Sequence, residues 1–198
     1  MEYSNSIELC EKMAARSGGV CLLRFSCGKD AIASYIQLKR HFHTIIPVYH
    51  YLHPDLEFIN KSLLYYEDVM QKKIIRVPNQ MLYKHLNLGL FQDKKSWSFI
   101  KKMGLPRFDN DEVNEYIKDD LGLDSSIMTA IGVRSADSLN RWRSIHKHGA
   151  INEKRKTFYP VYDWNIEKLV QEIEESGIKL PIDYKIWGKS FDGLDYRF

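Results

Sequence analysis

Cysteine is scarce. Cys10, Cys21 and Cys27 are the only three in 198 residues, and they form neither a CxxC pair nor an even set. A disulfide framework and a thiolate metal ribbon are thereby excluded, and a reduced cytoplasmic protein is the simplest account. No apolar run approaches the roughly 20 residues of a membrane-spanning helix, so no membrane partner is expected. The first residues, Met1-Glu2-Tyr3-Ser4-Asn5, carry neither the basic start nor the apolar core of a secretion signal. Charge of one sign is not in great excess: the net charge of +3 is too small to diagnose nucleic-acid binding, though a local basic face stays open. The Walker pattern GxxxxGK[ST] is absent, because Gly188-Lys189-Ser190 has Asp183 where the first glycine belongs. The pairs His41-x-His43, His50-x-x-His53 and His146-x-His148 are joined by no cysteine or second close ligand pair, which argues against zinc.

What is present suits one α/β domain over residues 1–198, with a core of about 1–150 and a C-terminal helix and aromatic tail over 151–198. Hydrophobic residues make up 44% and charged residues 28%, enough for a real core. Apolar spacing predicts a helix over 7–15, a strand over 20–25, a helix over 30–42 and a strand over 44–51. Pro47 argues for an irregular or edge position of that second strand. A helix over 55–71 and a strand over 73–77 follow, then a less regular stretch holding a helix over 111–121 that Gly122 ends. Residues 127–133 read as a buried strand and 135–148 as a polar helix. Asn165 to Ser176 reads as a helix stopped by Gly177, and the tail over 187–198 is expected to pack. Neither an internal repeat nor a low-complexity linker interrupts the chain. Strands alternating with helices predict parallel pairing with crossovers.

The chain is organised around Val20 to Ala31. An apolar run ends in Ser26-Cys27-Gly28-Lys29-Asp30, just before a helix. Such a turn presents backbone N–H groups to an anion, and Lys29 adds a mobile charge. The plainer reading is a strand-to-helix turn with Asp30 capping the helix. In open parallel sheets ligands bind beyond the carboxyl ends of the strands. That rule brings together residues 26–30, 53–57 and 134–141.

Ser26-Cys27-Gly28-Lys29-Asp30-Ala31 resembles the SGGKDS loop of the PP-loop ATP pyrophosphatases. Within them it is most similar to the phosphoadenosine-phosphosulfate (PAPS) reductase family, including its phage and DNA-modification-associated branches. Leu52-His53-Pro54-Asp55-Leu56-Glu57-Phe58 sits where members carry a D-T-G-x-E-F-like segment. Gly132-Val133-Arg134-Ser135-Ala136-Asp137-Ser138 with Arg141 resembles the G-x-R-x-x-[ED]-S…R segment, and Pro160-Val161-Tyr162-Asp163-Trp164 resembles P-[IL]-x-x-W. The resemblance implies a three-layer, Rossmann-like open parallel sheet of about five strands, of the adenine nucleotide alpha-hydrolase type. It implies ATP or PAPS held by Ser26, Cys27, Gly28, Lys29, Asp30, Asp55, Glu57, Gly132, Arg134 and Ser138. Lys29, Arg134 and Arg141 would be the catalytic cations. Mg²⁺ is implied if the nucleotide is ATP, with Asp30 as its helper. The chemistry implied with ATP is attack on the α-phosphorus with loss of pyrophosphate, in sulfur transfer or nucleic-acid modification.

Three departures from the family pattern stand out. Ala31 lacks the hydroxyl of most ATP-using members. Cys27 replaces a glycine, which requires a negative φ or a side chain turned away from the phosphate; a small buried residue is a better reading of it than a reactive thiol. No cysteine follows Cys27, so reduction through a thiol of the tail is excluded, and the cysteine pairs of an iron–sulfur cluster are missing. Three functions follow: an adenylating enzyme, a sulfonucleotide enzyme using a thiol supplied in trans, and a degenerate nucleotide-binding subunit that regulates or scaffolds a partner. Arg134, Arg141, Arg143, His146, Lys147, His148 and Lys154-Arg155-Lys156 form the densest basic region. It reads either as a solvated face balanced by the acidic helix over 167–175 or as a contact for nucleic acid. Trp142 and Trp164 read as core. A sulfur-transfer protein and a homodimer remain open as partners.

Overall fold

The computed structural model describes residues 3–90 and 93–186. The aromatic tail over 187–198, expected to pack, lies outside the described residues. Chain order gives α1 (Ser6–Arg16), β1 (Val20–Arg24), α2 (Lys29–Leu38), β2 (Thr44–Tyr51), α3 (Glu57–Met70) and β3 (Ile75–Pro78). After them come α4 (Gln80–Asn87), α5 (Trp97–Met103), α6 (Asn110–Asp120), β4 (Thr129–Ile131), α7 (Leu139–His148), β5 (Ile151–Asn152), β6 (Thr157–Phe158), α8 (Ile166–Ser176) and α9 (Asp183–Ile186).

The six strands lie in the order β3-β2-β1-β4-β6-β5. All neighbours are parallel except β5 and β6. The expected α/β architecture with a mostly parallel sheet is therefore present, with one more strand than the roughly five expected. Both members of the added β5–β6 pair span only two residues, too short for any period to show.

Alternation along the strands divides the core into two. Cys21, Leu23 and Phe25 face the larger cluster, with Leu9 and Met13 of α1, Ile32 and Ile36 of α2, Leu63 and Tyr66 of α3, and Leu169 of α8. Leu22 and Val48 face the other side, against Ile117 of α6. Helices thus cover both faces, as a parallel sheet requires.

Pro47 does not mark an edge. β2 is paired on both sides, and Leu23 of β1 stands opposite Pro47. Val48 O accepts from Phe25 N at 2.8 Å, so Val48 addresses β1 and Pro47 addresses the β3 side. The β3 register begins only at Val48, so the missing N–H has no ladder partner to lose.

On the α6 side, Arg24 and His50 rise together at the strand ends. Burial, with the Arg24 charge nearby, pushes His50 down to about 4. An unfolded histidine titrates near 6.5, so between those values the unfolded chain binds more protons than the folded one. Stability should therefore be complete above pH ~6.5 and fall by up to about 3 kcal/mol as pH drops through 4. Urea midpoints of wild type and His50→Gln across that window check this. Equal slopes in the two proteins would remove His50 as the cause.

Candidate functional site

From β1 the chain moves outward through β2 to β3, then returns to place β4 on the other flank of β1. The switch point lies between the carboxyl ends of β1 and β4, and the Ser26–Gly28 turn emerges there. Phe25 is fully buried and packs edge-on against Tyr66, 5.0 Å between centroids, which anchors the turn. Ser26 is exposed, and Cys27 then takes a left-handed φ of 60° and is completely buried among the core residues. Of the two conditions for a side chain at this glycine position, the second is the one met: the thiol turns inward. Burial likewise accounts for the other cysteines, pushing Cys10 up to about 12 and Cys21 well above its ordinary value.

Gly28 is the N-cap of α2 and supplies no side-chain cap. Among the described residues the N–H groups of Asp30 and Ala31 meet no acceptor, while Ile32 N begins the helical bonding at Gly28 O (2.9 Å). Lys29 N–H donates to the hydroxyl of Tyr184, 3.0 Å away. The segment bearing Tyr184 crosses α3, where Lys179 is held twice: its N–H donates to the Tyr65 hydroxyl at 2.9 Å, and its carbonyl accepts from Tyr66 at 2.8 Å.

Opposite the turn, Gly132 directly follows β4. A Cβ on Gly132 would lie 2.7 Å from both C and O of Asp30 and 3.1 Å from Ala31 N, so the first turn of α2 rests on bare backbone. Arg134 follows, only 5% exposed. Its Nε donates to Asp30 Oδ1 at 2.7 Å, and its Nη2 lies 2.6 Å from Asp137 Oδ1. Arg141 Nη1 reaches the other oxygen of Asp137. Lys29 Nζ lies 3.2 Å from Asp30 Oδ2. Lys29, Asp30, Arg134, Asp137 and Arg141 thus form one chain of alternating charge across the β1–β4 crevice. Its net charge is positive, and Arg141 is the open end, with half its side chain exposed.

The remaining expected residues are placed as follows. Ser138 caps α7, its Oγ accepting from Arg141 N at 3.2 Å. Asp55, at a φ of 58°, lines a pocket of about 210 Å³ after β2 with Tyr51, His53 and Arg76. Glu57 opens α3 and pairs with Lys61 at 2.6 Å. No contact among the described residues joins Asp55 or Glu57 to the turn. The larger groove along α3, about 490 Å³, is lined by Phe58, Tyr65 and Leu180 and does not include the turn. Asp30 turns one oxygen to Arg134 and the other to Lys29, and no group of three metal-ligating side chains occurs among the described residues.

Sequence reasoning quoted Asp137 within its motif without giving it a role, and it missed Tyr184. Asp137 was legible, three residues after Arg134 and four before Arg141, the spacing at which helical side chains meet. Tyr184 carries no local signal, being 155 residues from its partner. Trp142 is not core: it is 46% exposed and stacks on His146, 4.0 Å between centroids, because α7 buries only Ile145. Trp164 is fully buried, as expected. Among the described residues no ion pair joins the acidic helix α8 to the α7 cations; its Glu172 pairs with Arg40, 2.6 Å away, just beyond α2.

A phosphoadenylyl-sulfate (PAPS) reductase from Candida auris, solved as a phosphate complex, superposes with a TM-score of 0.56. The match covers 98% of this chain and 90% of that one at 10% identity. The fold is PAPS-reductase-like. A predicted subunit of a tRNA methyltransferase from Methanocaldococcus jannaschii also aligns, over 90% of this chain and 99% of that one at 17% identity. Its TM-score is 0.38, too low to inform the fold. No family model and no curated protein matches the sequence. For a PAPS-reductase-like fold, the turn after β1 and the crevice beside β4 are where a ligand of the switch point belongs.

Proposed function

We propose that this chain binds an adenine nucleotide by its phosphates on the Ser26–Asp30 turn and cleaves it at the α-phosphorus. The observation that carries the reading is the pair of N–H groups on Asp30 and Ala31 that meet no acceptor among the described residues, beside Lys29 and at the switch point. The structural neighbour in a phosphate complex supports an anion on this fold. An acceptor oxygen would attack the α-phosphorus, pyrophosphate would leave, and the adenylated acceptor would remain. Lys29 and Arg141 supply positive charge where the phosphate oxygens gather, and Arg134 positions Asp30 and the first turn of α2. The N–H groups orient the phosphate chain and need no rearrangement to do so.

ATP is favoured over PAPS because no cysteine follows Cys27 in the chain to carry a sulfonate intermediate. The second reading is sulfonucleotide chemistry with a thiol supplied in trans. A nucleotide-binding subunit without turnover is the third, favoured by the alanine at position 31 and the inward thiol of Cys27.

Incubation with Mg²⁺ and ATP, or with PAPS with and without thioredoxin, while following pyrophosphate, AMP and sulfite, separates the three. Pyrophosphate from ATP supports the first, thioredoxin-dependent sulfite the second, and binding without product the third. Lys29→Ala should weaken nucleotide binding about 10–100-fold, the worth of one charge-assisted bond. Unchanged affinity in that variant would end the assignment of the turn.

A further inference from the structure

We propose that the α4–α5 region is a docking surface for single-stranded nucleic acid, which would make such a strand the acceptor delivered to the nucleotide. As a binding surface the region stands alone; as an acceptor site it rests on the nucleotide reading. Residues 79–108 carry Lys84, Lys94, Lys95, Lys101, Lys102 and Arg107 against Asp93 alone. All six cations are exposed, and none is ion-paired among the described residues. The basic region after β4 differs, because Arg155 and Lys156 there are drawn to Asp111 and Glu115 at 3.5 and 2.8 Å.

Apolar groups share the surface. α4 buries no residue and α5 buries only Ile100, while Leu88, Trp97, Phe99 and Met103 are each at least half exposed. Trp97 is held rather than loose. Its ring lies over Gly89, where a Cβ would come within 2.5 Å of the indole nitrogen. Beside it runs a groove of about 490 Å³ that includes Asn87, Lys101 and Arg107. Positioned rings flanked by uncompensated cations suit unstacked bases on a phosphate backbone, whereas a duplex hides its base faces. A second copy of this chain would bring the same positive charge against itself. The region leaves the carboxyl end of β3, the same sheet edge as the phosphate turn that follows β1, with only β2 between the two strands. Neighbouring strands are about 4.8 Å apart, so the end of β3, where this region begins, lies roughly 10 Å along the edge from the end of β1, where the turn begins.

The test is the anisotropy of labelled single strands of about 20 nucleotides, RNA and DNA, and of the matching duplex, between about 50 and 200 mM salt. No ATP is added, so failure here leaves the nucleotide reading untouched. Wild type should prefer the single strands. Trp97→Ala should bind them about tenfold more weakly. Lys101→Gln/Lys102→Gln should lower the salt slope by about 1.4. Circular dichroism confirms that these surface variants fold. The proposal is overturned by wild type binding no strand at the lowest salt, or by loss confined to Arg143→Gln/Lys147→Gln on α7. Equal affinity for polyglutamate would assign the face to an acidic protein. Self-association abolished by Trp97→Ala would assign it to a second copy, and either result also overturns the proposal.

Discussion

Gly132→Ala is expected to destabilise the protein by about 1–3 kcal/mol and to weaken nucleotide binding further than that loss alone explains. The added methyl has nowhere to go. It meets the carbonyl carbon and oxygen of Asp30 at 2.7 Å, and both are backbone atoms of a helix that cannot rotate aside as a side chain would. Relief requires moving the first turn of α2 away from β4. That turn carries the Asp30 and Ala31 N–H groups, so the displacement falls on the proposed anion site itself. The effect is steric and owes nothing to glycine's backbone freedom. Urea denaturation gives the stability term, and nucleotide affinity measured well below the transition gives the other. A variant that melts and binds like wild type would show that the contact between β4 and α2 is slack.

The second large effect concerns Arg134. Its guanidinium is nearly buried and joins two carboxylates that are only 25% and 14% exposed. Arg134→Met keeps much of the stem but leaves Asp30 and Asp137 facing each other across the crevice. Removing one partner of a buried ion pair costs about 3–5 kcal/mol, and the partial exposure of Asp30 puts this case near the lower figure. Arg134→Met/Asp137→Asn should recover part of the loss, since one stranded charge goes with the arginine. If the double variant is as unstable as the sum of the single ones, Arg134 acts through packing and not through the carboxylates. If Arg134→Met keeps wild-type stability, the network does not hold the crevice together.

Much of the architecture could be read from the chain because its signals are local. β2 spans Thr44–Tyr51 as read, since an eight-residue apolar run bounded by polar residues has few other interpretations. Gly177 directly follows α8 and Gly122 follows Leu121, the C-cap of α6, positions where a residue without Cβ ends a helix most easily. The stretch over 135–148 was only half right. Ser135–Asp137 is a tight 3-10 turn, and Ser138, at φ −165° and ψ 155°, breaks the helix and caps a new one. The reason is electrostatic: Arg134 and Arg141 both reach for Asp137, which fixes the turn between them. Pro47 misled because a proline's cost depends on which neighbour its nitrogen faces, and register is invisible in a single strand. The turn after β1, proposed as the phosphate site, was legible as a strand-to-helix turn in its position and its glycine. Its tyrosine was not, because a contact between residues 29 and 184 follows from how the segment after α8 is tied to α3, not from any local pattern.

That tyrosine changes what ligand entry means. The Lys29 N–H already holds an oxygen, the neutral hydroxyl of Tyr184, so an arriving phosphate exchanges one acceptor for another at that position. Its net gain there is the difference between a charge-assisted bond and a neutral one, roughly a factor of two in strength, and not the whole of either. The displaced hydroxyl belongs to a strap tied to Tyr65 and Tyr66 on α3, and Tyr66 packs on Phe25 at the root of the turn. On the proposed reading, loading the turn and loosening the strap would be two sides of a single equilibrium, linking the anion to the surface of α3.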